Sequence, residues 1–364
     1  MSFLQKKIFD SSPPPFGLDL SDLSLKSAWL SREGERKRLV SFGSAPIPQG
    51  AVVDGEIVNE TQVVSSIERL LRESGPKRIR TNRVVCSLPE TKAFLRIVTI
   101  PKMSESEARE AMRWEIEANI PLPLDQVDYD WQILPEAFSK ERGKMSVLVV
   151  AVAVSAVEQF RNVLERCGLE VVGLETESIA QVRSLLPEIE EDRTALVVDI
   201  GDRRTSFVMA IDNVPVFTSS VPLSSQMMTD AISKNMGLPF EEAERLKIQE
   251  GLGSLSTPSP QMDAVRPILE NLAKEIERSM DFYFSTLRYS DRLDAVIFCG
   301  GGANTKGMLP FFSRRLRQNV EFGNPWMNLR LGNIVPPITR ERSVQYSTVI
   351  GLALRGLDEY ESLT

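Results

Sequence analysis

The chain has 364 residues, more than a single hydrophobic core usually spans, so at least two lobes are expected. With 42% apolar and 26% charged residues and a net charge of −7, it has an ordinary globular composition and is too acidic for a broad nucleic-acid surface. It holds no histidine, which excludes Ser-His-Asp and Cys-His catalysis and any histidine metal site; its three cysteines (Cys86, Cys167, Cys299) lie far apart, as in a reducing cytosol.

Residues 1–15 read as a flexible tail ending in Pro13-Pro14-Pro15, without a signal-peptide pattern. Phe3, Leu4, Ile8 and Phe9 beside Lys6 and Lys7 allow a short amphipathic tip, although disorder is the plainer reading. Residues 16–42 read as a β-meander: a strand to Asp19, a strand over 26–31, a charged turn at 32–38 and a strand over 39–44. A short strand is expected at 52–57 around Asp54-Gly55. The spacing of Val63, Val64, Ile67, Leu70 and Leu71 predicts a helix over 61–74, capped by Thr61 and stopped by Gly75-Pro76. Strands at 84–88 and 94–100 precede a helix over 104–119, where Ser104 and Glu107 form a capping-box pattern. Strands at 129–134 and 146–154 follow, then a helix over 155–167 ending at Gly168. The apolar run 147–157 is too short to cross a bilayer. This interleaved block suggests a small α/β module inserted into the first lobe.

A helix is expected over 175–186, then strand, polar turn and strand over 196–208, and an edge strand over 214–221 carrying Pro215. Helices follow at 224–237 and 239–251, a loop at 252–261, and the longest helix at 265–287. A buried strand at 294–299 leads into Gly300-Gly301-Gly302, and helices at 309–318 and 346–355 complete the chain.

Asp19, Leu20 and Asp22 align with Asp199, Ile200 and Asp202, 180 residues apart. An apolar strand ending in Asp, then a tight polar turn, thus occurs twice. Taken singly, each is more often a plain hairpin. As a pair they fit a phosphate cradle, because backbone N–H groups of such turns converge on an anion. Asp19 and Asp199 would hold Mg2+ through water, and Lys26 and Thr205 would reach terminal phosphates. Gly300, Gly301 and Gly302 let backbone approach a flat ligand, or serve only as a turn. Glu244 and Lys247, one helical turn apart, either bracket a ribose and base or form a surface ion pair. Glu177 opens a helix, where it would orient water or metal.

In order, Asp19…Lys26, Glu177…Ala180, Asp199-Ile200-Gly201…Thr205, Glu244…Lys247, Gly300-Gly301-Gly302-Ala303 and Ile350-Gly351 resemble the motifs of the actin-like ATPase fold. The closer resemblance is to the PilM-like type IV pilus assembly proteins, relatives of FtsA. It rests on Ser87-Leu88-Pro89, residues 94–103, Trp114-Glu115 before Ile120-Pro121, Asp128-Tyr129, 241–247 and 275–280, and it covers about 16–358.

This resemblance implies an α/β, two-lobed actin-like (ribonuclease-H-like) fold with a small α/β subdomain inserted in lobe 1. Subdomain 1A would be 16–80, 168–195 and 346–364. Subdomain 1C, the partner-binding insert, would be 81–167. Subdomain 2A would be 196–222 and 290–345, and 2B would be 223–289. ATP and Mg2+ are implied in the interlobe cleft, with contacts from Asp19, Ser21, Ser24, Lys26, Asp199, Gly201, Thr205, Glu244, Lys247 and Gly300–Gly302. The implied protein is a cytoplasmic adaptor at the inner membrane. It binds the cytoplasmic N-terminal tail of the inner-membrane protein PilN between lobe core and insert, and links the alignment complex to the motor ATPases. Rings or other homo-oligomers are implied, with membrane contact only through the partner and no nucleic acid.

Three departures shift the expectation from ATP hydrolysis toward binding alone. Ser21 stands where the family has Gly, which would cost roughly 1 kcal/mol if the turn needs a positive φ. Arg203-Arg204 replaces small residues, and Leu223-Ser224-Ser225 replaces paired glycines. The alternatives are an FtsA-like filament-forming division protein, although the acidic 358–364 lacks an amphipathic membrane helix, and a small-molecule kinase of the same superfamily.

Overall fold

Two mixed sheets form the frame of the molecule, each with its own core. The computed structural model describes residues 13–363 except 35, 140, 189–192, 254–258, 288, 290 and 330–338. Most of the expected N-terminal tail and the centre of the loop expected at 252–261 lie outside the described residues.

The first lobe opens with the meander β1 (Phe16–Leu20), β2 (Ser24–Glu33) and β3 (Arg36–Pro46). A small hairpin, β4 (Val52–Val53) and β5 (Glu56–Ile57), turns on Asp54 and Gly55, both at positive φ. Helix α1 (Glu60–Glu73) is capped by Asn59, whose side chain accepts from the Gln62 N–H at 3.1 Å. The expected cap Thr61 therefore lies inside the helix: Asn59, two residues earlier, supplies an equally good acceptor. After β6 (Gly75–Pro76) and β7 (Arg83–Leu88) come β8 (Ala93–Pro101), α2 (Glu105–Asn119), β9 (Val127–Ile133), β10 (Lys144–Ala153) and α3 (Val154–Arg166). The capping box of Ser104 and Glu107 forms as expected.

Strand β11 (Glu170–Thr176) was not expected, and it moves the start of α4 (Glu177–Leu185) two residues downstream of the predicted 175. It pairs parallel with β7, which itself pairs parallel with β1, giving the sheet order β11-β7-β1-β2-β3-β6. The segment 81–167 thus divides. β7 lies in the first sheet, and α3 buries Val157, Phe160, Val163 and Leu164 in the first-lobe core. β8, β10 and β9 form a separate antiparallel sheet, on which Ala108, Met112 and Ile116 of α2 close a third core. The other side of this module, through Leu95, Ile97, Leu134, Phe138 and Leu148, packs on the second-lobe core.

The second lobe contains β12 (Thr194–Ile200), β13 (Thr205–Ile211), β14 (Val214–Val221), α5 (Ser225–Met236), α6 (Phe240–Gln249), α7 (Pro260–Phe282), β15 (Ala295–Cys299), α8 (Met308–Leu316) and β16 (Val320–Phe322). Its sheet order is β14-β13-β12-β15-β16, so β14 is the edge strand expected from Pro215. Helix α7 begins five residues before the predicted 265, because Ser259 caps it and Pro260, inside the loop expected at 252–261, occupies the first turn where a missing N–H costs nothing. The chain closes with α9 (Arg340–Ser343) and α10 (Ser347–Leu363). Helix α10 packs on α4 and on β1, where a Cβ at Gly17 would meet Val349 O at 2.6 Å.

Candidate functional site in the interlobe cleft

The C-terminal ends of β1 and β12 open on one cleft of about 1050 Å³. Its walls include Asp19, Ser21, Ser24, Lys26, Glu177, Asp199, Gly201, Glu244, Lys247, Gly300 and Gly301. Of the expected residues, Thr205 and Gly302 are not on its surface.

At the first turn, the Ser21 N–H and hydroxyl both donate to Ser24 O at 3.0 Å. Non-glycine residues with positive φ among those described are Asp54, Asp212, Asn213 and Arg317, so Ser21 is unstrained. The backbone cost attached to a serine here does not arise. Buried Asp19 accepts from Ser87 Oγ at 3.2 Å, and Ser87 Oγ accepts in turn from Leu20 N–H at 2.9 Å. Lys26 Nζ lies 3.5 Å from Asp19 Oδ2 and donates to Ser24 Oγ at 3.0 Å. Asp22 receives the N–H groups of Asp54 and Gly55 at 3.0 and 2.9 Å, tying the β4–β5 hairpin to the turn.

At the second turn, Gly201 N–H donates to Arg204 O at 2.9 Å, and Ser225 N–H donates to Gly201 O at 3.0 Å. Gln181 Nε2 donates to Asp199 Oδ2 at 2.6 Å and to Thr348 Oγ1 at 3.1 Å, while its buried Oε1 has no partner. Arg204 is drawn back to β14 by a 2.9 Å bond from Nε to Ser220 Oγ, and Arg203 lines the cleft beside it.

The floor is acidic. Burial pushes the Asp199 carboxyl up to about 6, with Asp19 and Asp202 adding to the rise and Gln181 opposing it. Glu177 is raised well above the ordinary carboxylate range by burial and by Asp19, Asp199 and Glu90. Glu90, which the sequence did not single out, is 8% exposed and accepts from Ser178 N–H at 3.4 Å; burial raises it too. Among the described residues, no group of three or more Asp, Glu or Cys side chains is arranged to hold a metal ion.

Thr205 is fully buried and donates to Leu223 O at 2.7 Å, so it fastens β13 to the segment before α5 instead of reaching a ligand. Its neighbour Ser206 lines the cleft. The three glycines also differ. Gly300 has φ +84°, and a Cβ there would run into Asp199 Oδ1 and meet Ile200 O at 2.6 Å. Gly302 sits behind the wall, where a Cβ would meet Ile200 Cγ2 at 2.5 Å. Only Gly301 faces open space. Lys247 is buried beneath Glu244, 2.8 Å from its Oε2, and donates to Ser225 O, Ser225 Oγ and Thr229 Oγ1 at 3.0, 2.7 and 2.7 Å. Lys247 thus joins α6 to α5, and Glu244, which also accepts from Thr229 Oγ1, presents its remaining surface to the cleft.

Two lobes that each end a strand in an Asp-turn at a shared cleft, with α4 and α10 packed together beside it, define an actin-like protein. A family model described as type IV pilus assembly protein PilM matches residues 17–357, and the chain belongs to that family. A solved PilM-PilN type IV pilus biogenesis complex is 29% identical with a TM-score of 0.81, covering 94% of this chain and 98% of that one. The cell division protein FtsA of Pseudomonas aeruginosa is 26% identical over 243 residues, 62% of this chain and 57% of the relative, so the chain spans little more than half of that protein. MreB 5 of Spiroplasma citri, solved bound to AMPPNP, shares the fold at 14% identity, with a TM-score of 0.53 and coverage of 96% and 98%. No described helix is long and apolar enough to cross a membrane.

Proposed function

We propose that this chain is a cytoplasmic actin-like adaptor of the type IV pilus machine. It binds the N-terminal cytoplasmic tail of a PilN-like inner-membrane protein between the first lobe and the insert, and connects it to the motor ATPases. The observation that carries this reading is the likeness, along nearly the full length of both chains, to the PilM-PilN complex. The insert has the architecture such a role needs: a three-stranded sheet with its own core, attached beside the first sheet. The division into subdomains, with the insert confined to β8–β10 and the second small subdomain at 223–289, and self-association into a ring, belong to the same proposal.

The cleft suits ATP. The two Asp-ended turns form its walls, Gly301 leaves room for close approach, and the orphaned Gln181 Oε1 could accept from a water of a hydrated cation. Asp19, Ser21, Ser24, Lys26, Asp199 and Gly201 would face the phosphates, Glu244 the ribose, and Gly300 and Gly301 the base. Thr205, Gly302 and Lys247 would hold these walls in place. Asp19 and Asp199 would hold Mg2+ through water, in keeping with a cation that retains its hydration. When bound, the ion would offset the negative charge that the phosphates and the acidic floor bring together. Burial and the neighbouring Asp19, Asp199 and Glu90 favour the protonated form of Glu177 in the free cleft, which weakens it as a base and fits binding better than turnover.

Fluorescence polarisation with a labelled peptide copying the partner's cytoplasmic N-terminus tests the adaptor reading. Saturable binding is expected. Failure of every plausible tail to bind, together with ATP-dependent sedimentable filaments, would return the chain to the FtsA-like alternative.

A further inference from the structure

The leading N–H of each Asp-turn is spent on closing that turn: Ser21 N–H donates to Ser24 O at 3.0 Å and Gly201 N–H to Arg204 O at 2.9 Å. The cleft also carries carboxyls of its own in Asp19, Glu90, Glu177 and Asp199. A polyanion bound here therefore needs cationic side chains or ions as well as backbone.

Most cationic side chains on the walls are already committed. Lys26 donates to Ser24 Oγ and lies 3.5 Å from Asp19 Oδ2. Lys247 is buried beneath Glu244, Lys306 Nζ donates to Gln249 O at 2.8 Å, and Arg204 Nε donates to Ser220 Oγ. Arg342 is exposed on α9. Arg203 differs from all of these. It is half-buried on the cleft wall, and among the described residues its side chain makes no ion pair or hydrogen bond. Its Nε is enclosed without an acceptor.

The backbone that carries Arg203 is fixed. The residue stands at the tip of the β12–β13 hairpin, between the paired Ile200 and Thr205. This tip is pinned to α5 by Ser225 N–H on Gly201 O at 3.0 Å and Gln226 N–H on Asp202 O at 3.2 Å. An enclosed donor without an acceptor costs stability in the free protein, and a purely structural arginine is not left in that state.

We propose that Arg203 grips the polyphosphate of a nucleotide in this cleft, its terminal nitrogens forming a fork on two phosphate oxygens. The residue that departs from the small side chains of the family pattern then adds a phosphate contact instead of blocking one. Its neighbour Arg204 has the structural part of the pair, holding the turn to β14. This inference rests on the reading of the cleft as a nucleotide site.

Calorimetric titration of the full chain with ATP, ADP and adenosine tests it, in the wild type, Arg203→Met and Arg203→Lys. Arg203→Met keeps an apolar stem and removes the donors. It is expected to bind ATP and ADP about ten- to a hundredfold more weakly, with adenosine affinity within about twofold of wild type. Arg203→Lys keeps the charge but not the fork and should fall between the two. Without ligand, the thermal midpoint of Arg203→Met should equal or exceed that of the wild type, because an unanswered donor has gone. Unchanged ATP binding by Arg203→Met overturns the proposal and leaves the nucleotide reading standing. Equal losses for ATP and adenosine, or a lowered midpoint without ligand, make Arg203 structural and overturn it too. A wild type that binds none of the three ligands overturns the nucleotide reading and this inference together.

Discussion

Gly300 presses its backbone against Asp199 so closely that any side chain there would collide with the Asp199 carboxylate. The contact fixes the end of β15 to the end of β12 and sets the width of the cleft at its floor. Gly300→Ala meets both this collision and the φ of +84°, so it is expected to destabilise by about 2–4 kcal/mol and lower the thermal midpoint by several degrees. Gly301→Ala, at φ −64° and with nothing within 4 Å, should leave stability within about 0.5 kcal/mol. If nucleotide lies against Gly301, the same change weakens binding of a fluorescent ATP analogue. Unaltered affinity would remove Gly301 from the nucleotide contact.

Ser21→Gly restores the glycine of the family pattern and is expected to gain nothing. The turn already has an ordinary backbone, and the Ser21 hydroxyl donates to Ser24 O at 3.0 Å. Removing it should lower stability by about 1 kcal/mol, through one lost hydrogen bond and a more flexible unfolded chain. Denaturant unfolding measures this. A more stable variant would show that the serine is strained.

How much of this was legible depended on where each signal resides. The repeated Asp-turns, the Ser104–Glu107 box and the Gly168 and Gly237 helix ends are local in sequence, and the structure has them. β11 was missed because Gly173 interrupts its apolar run and its pairing with β7 shifts register there. Glu90 and Gln181 take their roles from partners far away in sequence and no local pattern marks them; Ser87 stands in the Ser87-Leu88-Pro89 phrase, but its partner Leu20 N, 67 residues away, is not legible from it. Thr205 was misassigned although the hairpin register would have settled it. Thr205 stands opposite Ile200, which points into the core, and Ser206 stands opposite Asp199, which points into the cleft.

Lys247 separates the structural and nucleotide-contacting roles of helix α6. It is 3% exposed, and its charge is balanced by Glu244 and the three oxygens of Ser225 and Thr229. Lys247→Met keeps the length but leaves those groups unpaired, which should cost about 2–4 kcal/mol. Glu244→Gln keeps an acceptor for Thr229 and should cost less than about 1.5 kcal/mol while still altering the cleft surface. Thermal unfolding of the two variants should therefore rank Lys247→Met well below Glu244→Gln. The reverse order would mean that Lys247 is a ligand contact whose removal the fold tolerates.

Glu90 gives the acidic floor a measurable pH signature. Burial raises its pKa above the ordinary carboxylate value, against the hydrogen bonds from Ser178 and Thr218, and the Glu177 carboxyl lies beside it. An acid raised in the folded state binds more protons folded than unfolded. Its contribution to stability is therefore fully present below the unfolded value of about 4.5 and is lost as pH climbs through the raised folded value. Glu90→Gln abolishes this loss and can keep the Ser178 N–H bonded through its amide oxygen. The variant should be more stable than wild type at pH 7.5, and its advantage should shrink as pH falls toward 5. Melting curves across that range decide the matter: a difference that stays constant or grows on acidification would mean that Glu90 is ionised and stabilising, held by Ser178 and Thr218 against its burial.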